Sequence, residues 1–393
     1  MARSLLSVNG RLVILITVLL RTQSFVHGQD LTFSTIFFNK SLLNPAYVGQ
    51  SGHLSMGLIH RAQWTSLPER GLNDVSLSSF HADISCPKWN LAMGIQAQVS
   101  EEGAGRYRNT IASYTVSKSF VNQYPRGFFI KGLRGLNHQW SVGLQVGVGQ
   151  KAIDFSRFTF GDQYDPFLGI ISDRSAVLSL STSSSGYMDI NAGMLWRSQF
   201  RKEKGFFSIG AAMYHINSPN ETFLFTENRI PQRLSISSFY NFRIDGNVYR
   251  KRSTYVSFGV VNDRHLNIES NQWKTLFSTS VVTLGGIFQN GKNEIGGNIG
   301  ARVGSNAVLN ALLINGTMQL NDFLILTSTV EINTSDFTIN QSGFTTEFGL
   351  IFNISNAYLC KCNSPRDLKC PFDEASGSFN KSNDKNSLVR SIP

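Results

Sequence analysis

Long apolar runs are missing from this 393-residue sequence, apart from one near the N-terminus. That run, Leu12 to Leu20, has about nine residues, whereas a helix that crosses a membrane needs roughly 20. Charge is also scarce: only 16% of the residues are Asp, Glu, Lys or Arg, and soluble proteins carry about 25%. The first shortage excludes a bundle of membrane helices, and the second is unusual for a soluble protein.

Small and neutral polar residues occupy the places that Leu and Ile would fill in a helical membrane protein. The chain has 34 glycines, and its mean hydropathy is only -0.10. Apolar and neutral polar residues are therefore finely mixed, as a barrel with one face in lipid and the other in a polar lumen requires.

Catalytic motifs are absent from the sequence. It has no Gly-x-Ser-x-Gly, no His-Glu-x-x-His, no phosphate-binding loop and no pair of Cys-x-x-Cys elements. An outer-membrane lipid hydrolase would need a Ser and a His adjacent on one strand face, and five histidines leave that class formally open: His60, His81, His138, His215 and His265. A His near a strand end is far more often solvated or hydrogen-bonded. We predict no enzymatic activity, no cofactor and no small-molecule substrate.

The four cysteines are unevenly placed. Cys86 stands alone, and the other three lie near the C-terminus: Cys360, Cys362 and Cys370. Export to an oxidising compartment permits one disulfide in the tail, with its pairing left open. A zinc site would need a fourth ligand, for which Asp367 and Asp373 are the nearest candidates, so we favour a disulfide or free thiols and predict no metal.

Basic residues outnumber acidic ones, with Lys+Arg 36 against Asp+Glu 26 and a formal net charge of +10. Nucleic acid is the obvious partner of a basic chain, but the basic residues are scattered rather than clustered. Loops and turns that face an anionic lipid surface explain the excess better. We therefore predict outer-membrane lipid as a partner and no nucleic acid.

The N-terminus has the pattern of a secretory signal. Arg3 and Arg11 precede the short apolar run, and Gly28 supplies a small residue at a cleavage point. We predict a signal peptide over residues 1–28 and a mature chain that starts near Gln29. The alternative is an uncleaved helical anchor, for which the run is short.

Between about residues 50 and 355 every second side chain is repeatedly apolar over runs of eight to eleven residues, which indicates strands. In Leu91 to Val99, Val142 to Gly149 and Ile295 to Gly304, the second face is polar, Gly or Ala. Similar runs are Leu54–Arg61, Ile190–Arg197, Phe207–Tyr214, Leu234–Ile244, Tyr255–Val261 and Thr346–Ile354. We predict an all-β transmembrane antiparallel barrel of about fourteen strands over residues 51–355, localised in the outer membrane.

Turn signals and aromatic residues support this interpretation. Hairpin turns are predicted at residues 290–293, 245–247 and 315–316, and loops at 162–175 and 218–232. Aromatic residues near strand ends would form interfacial girdles: Trp64, Trp89, Trp140, Trp196, Tyr214, Tyr240 and Trp273. A soluble β-sandwich also alternates, but it rarely uses so many long strands.

The ends of the mature chain differ from the barrel. Residues 29–50 form a short periplasmic or lumenal segment, in which Phe33, Ile36 and Phe37 have the spacing of an amphipathic helix. We predict that residues 356–393 form a flexible, Cys-containing tail in the periplasm, because an even strand number leaves both termini on one side. Inward arginines would set anion selectivity in a pore or form salt bridges in a plugged lumen: Arg197, Arg243 and Arg302.

A family resemblance begins at the mature N-terminus. A segment rich in Phe leads into Asn44-Pro45-Ala46, with Gly49 following, and the first strand ends in Arg61-Ala62-Gln63-Trp64. Asn-Pro starts a turn and Gly permits a second one. This opening resembles that of the PorP/SprF family of type IX secretion and gliding proteins.

Two later blocks resemble the same family. Residues 144–155 with 160–166 look like its central strand and loop. His215, Pro219, Asn220 and Glu221, followed by a Pro-x-Arg strand start, look like its next loop. The final strand departs from the family pattern, because residues 343–348 stand where a Gly-x-His-Glu-Ile-like sequence is common.

The resemblance implies an outer-membrane component of the type IX secretion and gliding machinery. Proteins of this family are thought to receive or retain secreted cargo such as large adhesins and to connect with periplasmic ring proteins. The motif residues would then serve structure or partner binding. The alternative is a passive channel for hydrophobic or small polar solutes, similar to fatty-acid porins.

Overall fold

A computed structural model of the chain describes residues 32–37, 39–63, 75–103, 105–123, 137–172, 175, 184–200, 205–221, 228–247, 252–267, 274–290, 293–304, 309–321, 323–334 and 344–354. The chain forms two compact units, Met1–Leu31 and Thr32–Pro393, and every described residue belongs to the second. The predicted signal peptide and the predicted tail lie outside the described residues.

The described residues form sixteen strands. In chain order they are β1 (Leu54–Gln63), β2 (Val75–Cys86), β3 (Leu91–Glu102), β4 (Tyr107–Gln123), β5 (Asn137–Ala152), β6 (Tyr164–Asp165), β7 (Gly169–Ile170), β8 (Ser184–Phe200), β9 (Gly205–Tyr214), β10 (Gln232–Asn247), β11 (Arg252–Asn267), β12 (Lys274–Asn290), β13 (Asn293–Val303), β14 (Leu309–Gln319), β15 (Leu324–Asn333) and β16 (Phe344–Ile354).

Fourteen of these strands close into one antiparallel barrel, and β6 with β7 forms a separate small hairpin. Each barrel strand pairs with the next along the chain, and β16 returns to β1 in a register that joins Ile354 to Leu54. The predicted fold class and strand number are confirmed. A closed single sheet also rules out the sandwich, because a sandwich consists of two packed sheets.

The alternation of apolar and polar residues in the sequence explains why the two faces of the barrel differ. On β5 the outward side chains Val142, Leu144, Val146 and Val148 are 48% to 64% exposed, whereas the intervening positions from Ser141 to Gly149 are buried. One face of the sheet is therefore apolar and open to the membrane, and the other is enclosed. Within the described part of the chain there is no helix that is both long and apolar enough to cross a membrane.

Two of the three predicted hairpin turns are wrong. Residues 245–247 continue β10, beside a register shift between Arg243 and Asp245. Residues 315–316 lie within β14, where the Asn315 side chain donates to Thr327 and Thr329 at 3.0 and 2.7 Å. Asn-Gly favours a turn only where the chain can reverse its direction. Here hydrogen-bonded pairing with β13 and β15 on either side keeps β14 extended. The hairpin at 290–293 is confirmed by the pairing of Asn290 with Asn293.

The predicted aromatic girdle is partly confirmed. Trp89, in the turn after β2, and Trp140, on the outward face of β5, are 61% and 48% exposed. Tyr214 faces the lumen instead, where its hydroxyl donates to the Leu42 carbonyl at 3.0 Å. Tyr214 thus lies at the end of a strand, as predicted, but on the lumenal face of the barrel. Trp196 and Tyr240 are half-buried, and Trp64 and Trp273 lie outside the described residues.

The lengths of the connections indicate the orientation of the barrel. At the end where β1 begins and β16 ends, most connections are short, as between Phe200 and Gly205 or between Asn290 and Asn293. At the opposite end the connections after Ala152 and Tyr214 are long. Outer-membrane barrels have short periplasmic turns and longer extracellular loops. We therefore call the end with Leu54 and Ile354 the periplasmic end.

Candidate functional site

Residues 32–37 and 39–53 precede the first strand and lie inside the barrel; we call them the lumenal segment. They contact inward-facing residues of strands on different sides of the barrel, among them Asp83 on β2 and Glu347 on β16. A small apolar cluster joins the segment to the wall, with Ile36 and Tyr47 packed beside Phe239 of β10. The Tyr47 and Phe239 ring centroids are 6.2 Å apart in an edge-to-face arrangement, which aromatic pairs prefer.

The predicted amphipathic helix at Phe33, Ile36 and Phe37 is not found. None of these residues is helical, and short 3₁₀ turns follow instead at Lys40–Leu42 and Pro45–Tyr47. Phe33 and Ile36 are nevertheless buried, as their spacing suggested. The difference arises because the Glu347 carboxylate on β16 binds the backbone N–H groups of Ser34 and Thr35 and holds them in a non-helical form.

Two wall carboxylates bind the beginning of the lumenal segment, Glu331 on β15 and Glu347 on β16. Glu347 accepts hydrogen bonds from the backbone N–H groups of Ser34 and Thr35, at 2.7 and 3.0 Å. Glu331 accepts a hydrogen bond from the Ser34 hydroxyl at 2.6 Å. Hydrogen bonds to a charged acceptor are stronger than neutral ones. This contact anchors the beginning of the lumenal segment in the extracellular half of the barrel.

Two arginines balance the charge of these carboxylates. Arg61 on β1 lies 2.5 Å from Glu347 and 2.9 Å from Glu331, and Arg302 on β13 lies 2.9 Å from Glu331. All four side chains are at most 12% exposed. Buried charges need such pairing, because an uncompensated charge in an enclosed site is costly. We call these four residues the charge cluster.

The predicted turn motif Asn44-Pro45-Ala46 is seated against the opposite wall. The Asn44 amide donates to the carbonyls of Met194 and Ala211 at 2.9 and 3.2 Å, and its oxygen caps the 3₁₀ turn by accepting from Ala46 N–H at 2.8 Å. The wall offers glycines here: a Cβ added to Gly143 would lie 2.4 Å from the Pro45 carbonyl carbon. The motif therefore packs against a part of the wall where glycine leaves room for its backbone.

Gly49 and Gln50 fix the segment near the periplasmic end. Gly49 has φ of 74°, a backbone conformation that glycine favours. Its N–H donates to the Asp83 carboxylate at 2.7 Å. Gln50 donates to Ser141 at 3.0 Å and also contacts Arg197. Polar anchors at both ends thus bracket the apolar cluster in the middle.

The remaining motif residues of the first strand are only partly described. Gln63 accepts from Arg61 Nε at 3.4 Å, a long hydrogen bond. Trp64 lies outside the described residues. Of the inward arginines, Arg302 forms a salt bridge and Arg197 bonds to glutamine side chains, while Arg243 is half-buried.

The second motif group lies at the extracellular end, in the loop after β9. The His215 ring nitrogen Nδ1 is 2.8 Å from an Asp189 oxygen, and its backbone N–H donates to Asn191 at 2.8 Å. His215 has φ of 56°, which is uncommon for a residue with a side chain. These buried bonds hold the start of the loop in a conformation that it would otherwise avoid.

The rest of that loop is tied to its neighbours. Pro219 is buried and its carbonyl accepts from Ile230 N–H at 2.9 Å. The backbones of Asn220 and Arg229 form an isolated antiparallel β-bridge. Glu221 is ion-paired with Lys151 at the extracellular end of β5. The structure does not bring this group into hydrogen-bonding contact with Asn44 or Gly49 in the described residues. The motifs therefore stabilise two regions, the lumenal segment and an extracellular loop.

Sequence reasoning missed the acidic partners. Asp83, Glu331 and Glu347 were not singled out, although each is the one acidic residue among the buried, inward positions of its strand. A lone acidic residue at such a position was the available signal, since an unpaired charge is rarely enclosed.

One cysteine lies among the described residues. Cys86, at the periplasmic end of β2, is disulfide-bonded and 1% exposed. Cys360, Cys362 and Cys370 lie outside the described residues, so a disulfide among them stays a prediction.

The family model for the type IX secretion system membrane protein PorP/SprF matches residues 26–352. The chain belongs to this family. The resemblance is thereby confirmed over all but the last two residues of the barrel, and this PorP/SprF protein is an outer-membrane component of the type IX secretion system. The motif groups in the lumenal segment and in the loop after β9 both fall within the matched range.

Other comparisons are less informative. No curated protein sequence matches the chain. Among solved structures, the "CymD monoaromatic hydrocarbon channel" is similar, with 9% identity, a TM-score of 0.41 and coverage of 83% of this chain and 95% of that one. A Pseudomonas aeruginosa FadL homologue has 10% identity, a TM-score of 0.36 and coverage of 84% and 94%. Similarity this low supports no inference about function.

Proposed function

We propose that this PorP/SprF protein acts without catalysis, as a closed barrel that binds secreted cargo, such as adhesin-like proteins, and periplasmic ring partners. The observation that carries the proposal is the occupied lumen. Polar contacts hold the lumenal segment near the middle and at both ends of the barrel. The inner wall of the barrel therefore supports a fixed segment of the chain. Binding would then use the extracellular loops, the periplasmic rim and the tail.

The direct test is purification of the tagged full-length protein in mild detergent, followed by mass spectrometry. We expect type IX secretion components and exported proteins to co-purify, with a matched sample of an unrelated tagged outer-membrane barrel as the control. A deletion strain should fail to retain or display at least one secreted protein. A partner set without secretion components, together with normal secretion in the deletion strain, would remove the proposal.

Conductance measurements distinguish the proposed function from the alternative, a passive channel. Deleting residues 30–43 removes the anchor at Glu331 and Glu347, so small-solute conductance in a lipid bilayer should rise above that of the intact protein. Intact protein that already conducts freely would favour a passive channel. Equal and low conductance in both proteins would show that the lumenal segment is not what closes the lumen.

A further inference from the structure

The long extracellular connection between β5 and β8 carries a small hairpin with an apolar tip. Strands β6 and β7 pair through Tyr164 with Ile170 and Asp165 with Gly169. The side chains at and beside the turn are open to solvent: Phe167 is 96% exposed, Leu168 80% and Ile170 65%. We call residues 158–172 the apolar hairpin.

This exposure differs from that of the barrel wall. Outward residues of the wall face lipid, but the apolar hairpin begins beyond Ala152, the last residue of β5, and its residues lie in a loop. A group of adjacent apolar side chains held in water commonly marks an interaction site. Nothing in the described residues covers Phe167.

The hairpin is held in a defined shape although its ladder is very short. The Asp165 carboxylate accepts from the N–H groups of Phe167 and Leu168 at 2.7 and 3.0 Å, an Asx turn around Pro166. The buried Gln163 side chain bonds to Phe160 N–H at 2.9 Å and to the Ser172 carbonyl at 3.1 Å. A binding element that is ordered before it binds loses less conformational entropy.

The base of the hairpin is fixed to the barrel. Asp154 N–H donates to the Gly105 carbonyl, in the turn between β3 and β4, at 2.9 Å. Asp154 also accepts from Ser156 and Arg157, and the hydrogen bonds from Ser156 hold the pKa of this exposed carboxyl below its usual range. The tip is therefore presented from a fixed support.

The charge of the hairpin indicates the kind of partner. Residues 158–172 contain Asp162 and Asp165 and no Lys or Arg. Elements that lie on a membrane surface carry Lys or Arg beside their apolar residues, and two carboxylates would be repelled by an anionic lipid surface. An apolar tip flanked by negative charge is complementary to a protein pocket with a basic rim.

We propose that the apolar hairpin is a docking element for an exported protein on the cell surface, which receives Phe167 and Leu168 in an apolar pocket bordered by Lys or Arg. This inference rests on the proposed function and names the surface that would contact cargo. The aromatic residue at the tip would be the anchor, since aromatic side chains dominate binding energy at interfaces. Asp165 beside the tip would orient the partner, because the Asp162 carboxylate already accepts from the Ser175 hydroxyl at 2.8 Å.

The test starts in intact cells, with p-benzoylphenylalanine in place of Phe167 in the full-length chain. The matched control carries it at Phe323, which is 52% exposed in a turn at the periplasmic end. We expect irradiation to link position 167 to one exported protein through a peptide that contains Lys or Arg, and position 323 not to link to that protein. Crosslinks from position 167 to lipid alone would overturn the proposal.

The linked protein is then purified and its affinity for the full-length barrel in detergent is measured. The double variant F167S/L168S should bind roughly 30-fold more weakly, as expected for loss of a central anchor. The variant D162N/D165N keeps one accepting side-chain oxygen at each position but loses both charges, and should bind about fivefold more weakly, with less dependence on salt. The variant F323S should bind normally.

Two results separate this proposal from the proposed function. If F167S/L168S and D162N/D165N both bind like the unaltered protein, the hairpin is not the docking element, whereas co-purification with secretion components can persist. If co-purification fails although position 167 links to an exported protein, the assignment of partners in the secretion machinery fails instead. A heat-modifiable gel mobility equal to that of the unaltered barrel confirms that each variant is folded.

Discussion

At the scale of single residues, the enclosed charges are what distinguishes this barrel from a simple scaffold. Arg61, Arg302, Glu331 and Glu347 form a balanced set in which two carboxylates also hold the lumenal segment. Removing one member of a buried ionic group is far more damaging than removing an exposed pair. The cluster should therefore stabilise both the barrel closure at β1 and β16 and the position of the segment.

We predict that Arg61→Met lowers the free energy of unfolding by about 3 kcal/mol, because Glu347 loses its nearest cation and Arg302 can only partly replace it. Unfolding by guanidinium in detergent, followed by tryptophan fluorescence, measures this change. The matched control is Arg108→Met, which removes an exposed pair with Glu101 and should cost less than about 1 kcal/mol. Equal effects of the two substitutions would show that the charge cluster has no special role.

The sequence could indicate part of this site. Asn44, Pro45, Gly49 and Arg61 were recognisable as a motif, and the structure places all four in or against the lumenal segment. The carboxylate partner of Ser34 lies 313 residues away, and no local pattern links positions so distant. Such pairings depend on barrel closure, which brings β1 beside β16.

At the scale of elements, the fit between the lumenal segment and the wall depends on glycine. Gly143 on β5 and Gly193 on β8 lie beneath Asn44 and Pro45, and a Cβ on Gly193 would be 2.0 Å from the Asn44 oxygen. Close approach of two backbones is a common reason for glycine in a strand. The segment and the wall are therefore matched as surfaces.

We predict that Gly143→Ala displaces the lumenal segment, because the added Cβ would lie 2.4 to 2.5 Å from backbone atoms of Pro45 and Ala46 that cannot rotate away. Bilayer conductance and protease sensitivity of residues 32–53 should both increase. The matched control, Gly316→Ala on β14, adds a Cβ with nothing within 4 Å and should change neither. A protected segment in Gly143→Ala would contradict this account of the fit.

Strands were easier to predict than turns, for a physical reason. The period-two pattern of a strand is repeated over its length, so the long alternating runs such as Val142 to Gly149 were recognisable. A turn depends on two or three residues, and the same Asn-Gly at 315–316 serves inside β14 as a lumenal hydrogen-bonding position. The amphipathic spacing at Phe33 failed in the same way, since burial inside a barrel does not require a helix.

At the scale of the whole molecule, the chain separates two media with a single closed sheet. About fourteen strands could be counted from the sequence, and the closed barrel has that number. The occupant of the lumen was less predictable, because its contacts are spread over many strands that are far apart in the sequence. What the composition did indicate is the difference between the two faces.

That difference leads to a test of the membrane face. Leu144 lies near the middle of β5, is 61% exposed and faces outward, so Leu144→Lys would place a charge in hydrocarbon at a cost of roughly 2 to 4 kcal/mol. Leu168→Lys makes the same change at an 80% exposed position in the extracellular hairpin and should leave stability nearly unchanged. Folding free energies in lipid vesicles, from denaturant titration, measure both. Equal stabilities would mean that the outer face of β5 does not meet lipid.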